Sequence, residues 1–172
     1  EVCAEEKQAG ACVDTSKAKQ ADGASVTRIP LRGCGGWGDD GDLVEDDDFV
    51  EKAYGDGVPM GGDLPPKPRF TKAPSFAVWA LKDPESGNLD RIQIIKGFIN
   101  KWGRTDEKIY EVAWSDDRKL DPKTGKLPPV GNTFDTKKAT YTNDIGDSQL
   151  SAVRTDPDFD PKQKAVYYLR WM

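Results

Sequence analysis

Phe76-Ala-Val-Trp-Ala-Leu81, Arg91-Ile-Gln-Ile-Ile-Lys96, Lys108-Ile-Tyr-Glu-Val-Ala-Trp114 and Ala165-Val-Tyr-Tyr-Leu-Arg-Trp171 are the runs that decide the fold. Each is short and rich in β-branched and aromatic residues, the composition that suits a pleated, half-buried surface. Turn chemistry separates them: Asp83-Pro-Glu-Ser-Gly-Asn88, Gly103 to Asp106, a loop from Asp116 to Gly131 with Pro128-Pro129, and Asp156-Pro-Asp-Phe-Asp-Pro161. Thr140-Tyr-Thr142 and Gln149 to Thr155 add two further β-prone runs. Short strands, frequent turns and no long amphipathic helix predict a mainly β, antiparallel β-sandwich-like domain. Long irregular loops and one or two short helices complete it, and no internal repeat is evident.

The pattern weakens toward the N-terminus. Val26-Thr-Arg-Ile29 alternates like a strand, although Pro30 limits it to an edge or a bend. Gly33-Cys-Gly-Gly-Trp-Gly38 reads as a tight backbone turn; it lacks the Lys-Ser/Thr ending of a phosphate loop. Within Leu43 to Tyr54, Phe49, Val50, Ala53 and Tyr54 share one face of a short helical turn. Gly55 to Pro68 is irregular and is expected to be functional or packed as a surface loop. Residues 1–26 are an unassigned arm with a short helix from Asp14 to Gln20 capped by Asp14 or Thr15, and 27–172 form the β-rich domain.

Composition bounds the chemistry. The 172 residues are 36% hydrophobic and 32% charged, with five Trp, five Tyr and six Phe, enough for one core and too aromatic for wholesale disorder. A net charge of −5 is opposite to the footprint of a nucleic-acid binder, so no nucleic-acid partner is expected. No apolar run approaches the roughly 18 residues of a spanning helix, so no membrane insertion is expected. The charged start, Glu1-Val-Cys-Ala-Glu-Glu-Lys7, is not a signal peptide; any such leader has been removed or lies upstream in a longer precursor. Cys3, Cys12 and Cys34 are an odd set. Cys3 can close a small loop with Cys12, or either can pair with Cys34, leaving at least one outside any intrachain bridge. Three thiols without histidine or CxxC spacing make a poor zinc site.

The chain contains no histidine, which excludes Ser-His-Asp and Cys-His chemistry in their usual form. Asp39, Asp40, Asp42 and Asp46 are the metal candidates, in a glycine-broken acidic loop that also holds Glu45, Asp47 and Asp48. Calcium needs several oxygen ligands converging at once. The spacing is not that of an EF-hand, and a solvated acidic loop capping a helix is the competing and favoured reading. Asp156, Asp158 and Asp160 alternate around Pro157 and Phe159; they either share a cation or make ordinary Asp-Pro turns, with Phe159 plugging the core. Acids are abundant, yet no flanking signature picks out a glycosidase pair. Trp79 and Trp114 sit in apolar strands and are expected in the core. Trp102, beside Lys101 and Gly103, is the exposed candidate for stacking on a sugar.

Ordered blocks from Trp37 to Arg170 carry a resemblance. They include Gly35-Gly-Trp37, Asp42-Leu-Val-Glu-Asp46, Asp48-Phe-Val-Glu-Lys52 and Gly57-Val-Pro-Met-Gly-Gly-Asp-Leu-Pro65. They continue in Phe76-Ala-Val-Trp79, Lys82-Asp-Pro84, Asn88-Leu-Asp-Arg-Ile-Gln-Ile94, Val112-Ala-Trp-Ser115, Lys126-Leu-Pro-Pro-Val-Gly-Asn132, Ala139-Thr-Tyr-Thr142 and Thr155-Asp-Pro-Asp-Phe-Asp-Pro161. This stretch resembles the C-terminal region of the bacterial DUF3604 family. Members of that family are longer, exported or periplasmic proteins whose N-terminal part looks like a metal-dependent phosphoesterase of the polymerase-and-histidinol-phosphatase (PHP) type. The resemblance implies a non-catalytic accessory or structural domain, a fragment of a larger hydrolase-like protein. Its expected partner is the hydrolase-like portion of that protein or a second copy of itself. A stand-alone glycan- or calcium-binding module is the alternative. No histidine ligand of such a metal centre can be carried over, since none exists here.

Overall fold

A computed structural model describes residues 31–38 and 49–172. The elements run β1 (Leu31–Gly36), α1 (Phe49–Asp56), β2 (Val58–Pro59), β3 (Ser75–Leu81), β4 (Arg91–Ile99), β5 (Thr105–Trp114), β6 (Gln149–Thr155) and β7 (Ala165–Trp171). They form two antiparallel sheets, β2-β1-β3-β6 and β5-β4-β7. The chain is therefore mainly β and sandwich-like. The segments at Asp14–Gln20 and Val26–Ile29 lie outside the described residues.

The core forms where the two sheets meet. In β3 the period of two turns Phe76, Val78 and Ala80 to one face, and the register places Ala152 and Leu150 of β6 beside Val78 and Ala80. In β4 the same rule turns Ile92 and Ile94 inward, flanked by Tyr110 of β5 and Leu169 of β7. Val78, Ala80 and Ile92 have no exposed surface, and burying each large aliphatic side chain contributes roughly 1.5–3 kcal/mol as an upper figure. A bulge lies opposite Ile92/Gln93. Gln93 pairs with Glu111 and Ile92 with Ala113, so Val112 is the extra residue and both Val112 and Ala113 lie against the core.

Strand β4 is buried on both faces, from Arg91 through Lys96. Its even-numbered side chains enter the core and its odd-numbered ones line the outer face of the three-stranded sheet. Ile95 there is fully buried between its cross-strand partners Ile109 and Tyr168, both of which are themselves partly exposed.

Three expectations are corrected. Residues 33–36 are not a tight turn but part of β1, an interior strand paired to β2 and β3. The glycines mark close approach rather than a bend. A Cβ on Gly33 would collide with the Leu169 side chain of the opposite sheet, and one on Gly35 would lie 2.9 Å from the Phe76 ring. The run at Thr140–Thr142 makes only an isolated bridge, Thr140 to Asp135, because its neighbours are spent on loop contacts such as the 2.6 Å bond from Tyr141 Oη to the Glu85 carbonyl. Trp79 and Trp114 are half-buried, outside the core cluster. With Phe76, Val78 and Ala80 facing in, Trp79 must face out, and the Trp114 indole N–H donates to the Arg118 carbonyl at 2.9 Å.

The helix α1 covers the outer face of the four-stranded sheet. Its buried Ala53 sits over β1 near Cys34, itself 7% exposed. The helix ends at Gly57, where any side chain would strike the Ala53 carbonyl. The irregular stretch up to Pro68 is tied back by the Trp37 indole N–H, which donates to the Pro65 carbonyl at 2.9 Å.

Candidate functional site

Among the described residues, the densest cluster of ionisable side chains is built around Asp156. This residue directly follows β6, and its N–H donates to the carbonyl of Pro74, just ahead of β3, at 3.0 Å. Its carboxylate thus sits at one end of the four-stranded sheet. Every strand of the other sheet contributes a side chain to it or to its neighbour Asp158. Lys96 of β4 donates to Asp156 Oδ2 at 2.7 Å and to the Asp158 carbonyl at 2.9 Å. Tyr167 of β7 donates to Asp156 Oδ2 at 2.7 Å. Tyr110 of β5 lies 3.2 Å from Asp156 Oδ1 and 2.9 Å from Asp158 Oδ2, and Lys108 of β5 pairs with Asp158 Oδ2. The Asp158 N–H donates to Asp156 Oδ1 at 2.9 Å. Asp156 Oδ2 therefore accepts two bonds and Oδ1 one, from the Asp158 N–H. The single proton of the Tyr110 hydroxyl goes to the nearer Asp158 Oδ2, and its oxygen packs against Asp156 Oδ1.

Burial separates the two aspartates. The side chains of Lys96 and Asp156 are 2% and 1% exposed, whereas those of Lys108 and Asp158 are about half exposed. Burial pushes the Asp156 carboxyl up, but the bonds from Lys96, Tyr167 and the Asp158 N–H outweigh it and leave it below the usual carboxylate range. The bonds from Lys108 and Tyr110 hold Asp158 low as well. Burial pushes both tyrosine hydroxyls well up, reinforced by the adjacent carboxylates: Asp158 and Asp156 for Tyr110, Asp156 for Tyr167.

A second network lies on the outer face of β4. Arg91 donates to Glu111 Oε1 at 3.2 Å, Asp90 Oδ2 at 3.1 Å and the carbonyls of Leu127 and Pro128 at 2.9 Å each. Arg118 pairs with Asp90 and donates to the Pro128 carbonyl at 2.8 Å and to the Ser115 carbonyl at 3.0 Å. Gln93 donates to Glu111 Oε1 at 2.8 Å and accepts from Arg170 Nε at the same distance. These bonds hold the 116–130 loop against the sheet.

Two open hollows accompany these networks. One, of about 470 Å³, lies between the sheets where β1 and the loop after β2 face β7, and is walled by Met60, Leu64, Phe76 and Leu169. The other, about 640 Å³, lies around Gly97, Glu107, Lys164 and Val166. Neither is lined by Lys96, Asp156 or Tyr110.

The metal candidates Asp39, Asp40, Asp42 and Asp46 lie outside the described residues, as do Cys3 and Cys12. Among the described residues, no group of three or more Cys, Asp or Glu is placed to hold a metal, and no helix is long and apolar enough to cross a membrane. Trp102 is 72% exposed at the tip of the β4–β5 hairpin, with the Lys101 ammonium 4.5 Å from its ring centroid. Phe159 is half-buried, edge-on to Trp37 at 5.6 Å. Asp160 turns outward, accepting from the Lys162 N–H at 2.9 Å.

Residue-by-residue reading of the sequence missed Lys96, Tyr110 and Tyr167. The signal was present in Lys96. It follows Ile92 and Ile94 at the period that points into the core, and an inward lysine demands a waiting carboxylate.

No curated protein and no solved structure matches the chain. A family model does, described as "Protein of unknown function (DUF3604)", and it aligns with residues 1–172, farther than the blocks between Trp37 and Arg170. The β-sandwich bolted through Asp156 is therefore a domain of that description: the chain belongs to the DUF3604 family.

Proposed function

We propose that this chain is a non-catalytic accessory domain, the scaffold part of a larger exported protein whose chemistry resides in a metal-dependent hydrolase-like portion. The observation that carries this reading is the enclosure of its most reactive-looking cluster. Asp156 accepts from Lys96 and Tyr167 at one oxygen and from the Asp158 N–H at the other. The Tyr110 hydroxyl closes over that second oxygen at 3.2 Å, and the Asp156 side chain is 1% exposed, so no open position faces a substrate or a metal. A catalytic carboxylate needs the opposite arrangement, an open position facing a cavity. Lys96 and Asp156 face the interior, where their bond joins the two sheets.

The test is a hydrolase assay on the 172-residue chain with Mn²⁺ or Zn²⁺ and an aryl phosphate or phosphodiester. The expected rate equals the blank. Turnover above the blank that a chelator abolishes overturns the non-catalytic reading.

Trp102 supports a second reading, a sugar-stacking module, because its ring is 72% exposed. Glycan binding that Trp102→Ala removes would establish it, and silence across a glycan panel would eliminate it.

A further inference from the structure

The outer face of the β5-β4-β7 sheet is covered at one end by the 116–130 loop and bare at the other. In the bare part the register sets three rows across the sheet. Ile109, Ile95 and Tyr168 form one row, and Glu107, Gly97 and Val166 the next. Thr105 and Ile99 form the last, with Lys164 beside them through its carbonyl, which accepts from the Ile99 N–H at 3.1 Å. Ile99 and Ile109 are each 45% exposed, Tyr168 46% and Val166 68%. A contiguous apolar patch of this kind on a sheet face marks an interaction surface.

The charges on this face are sorted by strand. Glu107 stands on β5, on one side of β4, while Lys164 and Arg170 stand at the two ends of β7, on the other. Glu111 also lies on β5, but its charge is already balanced by Arg91. An axis parallel to β4 above this face exchanges the β5 side of one copy with the β7 side of another. Such a two-fold lays Ile109 over the partner's Tyr168 and Glu107 over the partner's Val166. Lys164 of the partner is then about 7 Å further along the strand, within reach of its own long side chain. The hollow at Gly97 removes a side chain from the middle of the contact, so the two sheets can approach closely. A face that is apolar along its centre, acidic on one side and basic on the other is complementary to itself, which an isologous contact requires.

We infer that the uncovered face of the β5-β4-β7 sheet pairs with the same face of a second copy of this chain, making a symmetric dimer with Glu107 of each copy against Lys164 of the other. This goes beyond the scaffold role and does not depend on it. A chain that stays monomeric and inactive would sink the dimer alone, whereas a dimer with hydrolase turnover would sink only the scaffold reading.

The experiment is sedimentation equilibrium on the 172-residue chain from about micromolar to about millimolar concentration, with thermal melts as a folding control. A monomer–dimer equilibrium is expected. Val166→Arg, at an exposed position, is expected to abolish it and to leave unchanged the melting temperature measured at a dilution where both chains are monomeric. Glu107→Lys and Lys164→Glu are each expected to weaken it about tenfold, as loss of an attraction plus a new repulsion at a rim. Glu107→Lys and Lys164→Glu combined in one chain restore the pairing with its sign reversed. Mixing the two single variants favours the heterodimer, since both of its charge contacts are then opposite in sign. A monomer at every concentration overturns the proposal, and so does a dimer indifferent to Val166→Arg and to the reversals.

Discussion

Strand β4 carries one buried cation on each face, and the two are held in opposite ways. Lys96 faces inward and meets Asp156, a residue of the other sheet, with Tyr110 and Tyr167 completing the set. Arg91 faces outward and meets Asp90, Glu111 and two carbonyls of the 116–130 loop. The first contact joins two sheets and gives both Asp156 oxygens a donor, Lys96 and Tyr167 on one and the Asp158 N–H on the other. The second joins a loop to one sheet and leaves Arg91 Nε and Glu111 Oε2 buried without hydrogen-bond partners. The tight network lies where an error would separate the halves of the molecule. The looser one lies where an error releases a loop.

The largest expected effect comes from breaking the inner pair. Lys96→Met strands the Asp156 charge in a dry site, and removing one partner of a buried pair costs about 3–5 kcal/mol. For a domain of this size that lowers the melting temperature by roughly 10 °C. Adding Asp156→Leu to Lys96→Met is expected to recover part of the loss, because the penalty lies in the orphaned charge rather than in the missing attraction. If the double variant melts no higher than Lys96→Met alone, the uncompensated charge is not the cause.

Acid and base probe the same contact without mutation. Asp156 and Asp158 are held below their ordinary range, so their contribution is present above about pH 4 and is lost as pH falls through their folded values. Tyr110 and Tyr167 are pushed up, so their contribution is present below about pH 10 and is lost as pH rises beyond it. Melting temperature against pH should fall away on both sides of a plateau, and Tyr167→Phe should make the alkaline limb shallower. An unchanged alkaline limb in that variant would remove Tyr167 from the account.

Arg91→Met sharpens the contrast at a smaller cost. Asp90 keeps Arg118 as a partner and Glu111 keeps Gln93, so the loss is about 1–3 kcal/mol. The distinguishing readout is local. Limited proteolysis should cut between residues 116 and 130 in Arg91→Met well before global unfolding, and should leave that loop intact in Lys96→Met. Equal cutting in both variants would mean that the outer network does not hold the loop.

How much of this was legible in the sequence follows from the range of the forces involved. The runs at Phe76–Leu81, Arg91–Lys96, Lys108–Trp114 and Ala165–Trp171 were readable as strands because periodicity and turn chemistry are local. Strand β1 was not, since Gly33 and Gly35 are set by Leu169, on the far sheet, and by Phe76, on the neighbouring strand. Glycine in a strand carries no local mark of what comes close to it. The partner of Lys96 was hidden for the same reason: Asp156 lies 60 residues away and its local sequence, Asp-Pro-Asp, is also that of an ordinary turn. Lys96 itself broke the apolar pattern of its strand, and that break was the one visible trace of the network.

The smallest of these effects isolates a single hydroxyl. Tyr167→Phe keeps the ring, which packs on Phe76 with centroids 4.4 Å apart, and removes only the donor to Asp156 Oδ2. Asp156 Oδ2 still holds Lys96 at 2.7 Å, so no charge is orphaned and the cost should be about 1–1.5 kcal/mol. Tyr168→Phe on the next residue is the natural control. Its hydroxyl donates to Glu107 at 3.0 Å on the outer face, and at a dilution where the chain is monomeric, so that water can replace it, its effect on melting should be close to zero. If the two variants melt alike, the inner network draws no strength from being dry. A gap between them measures what enclosure adds to one hydrogen bond on the same strand.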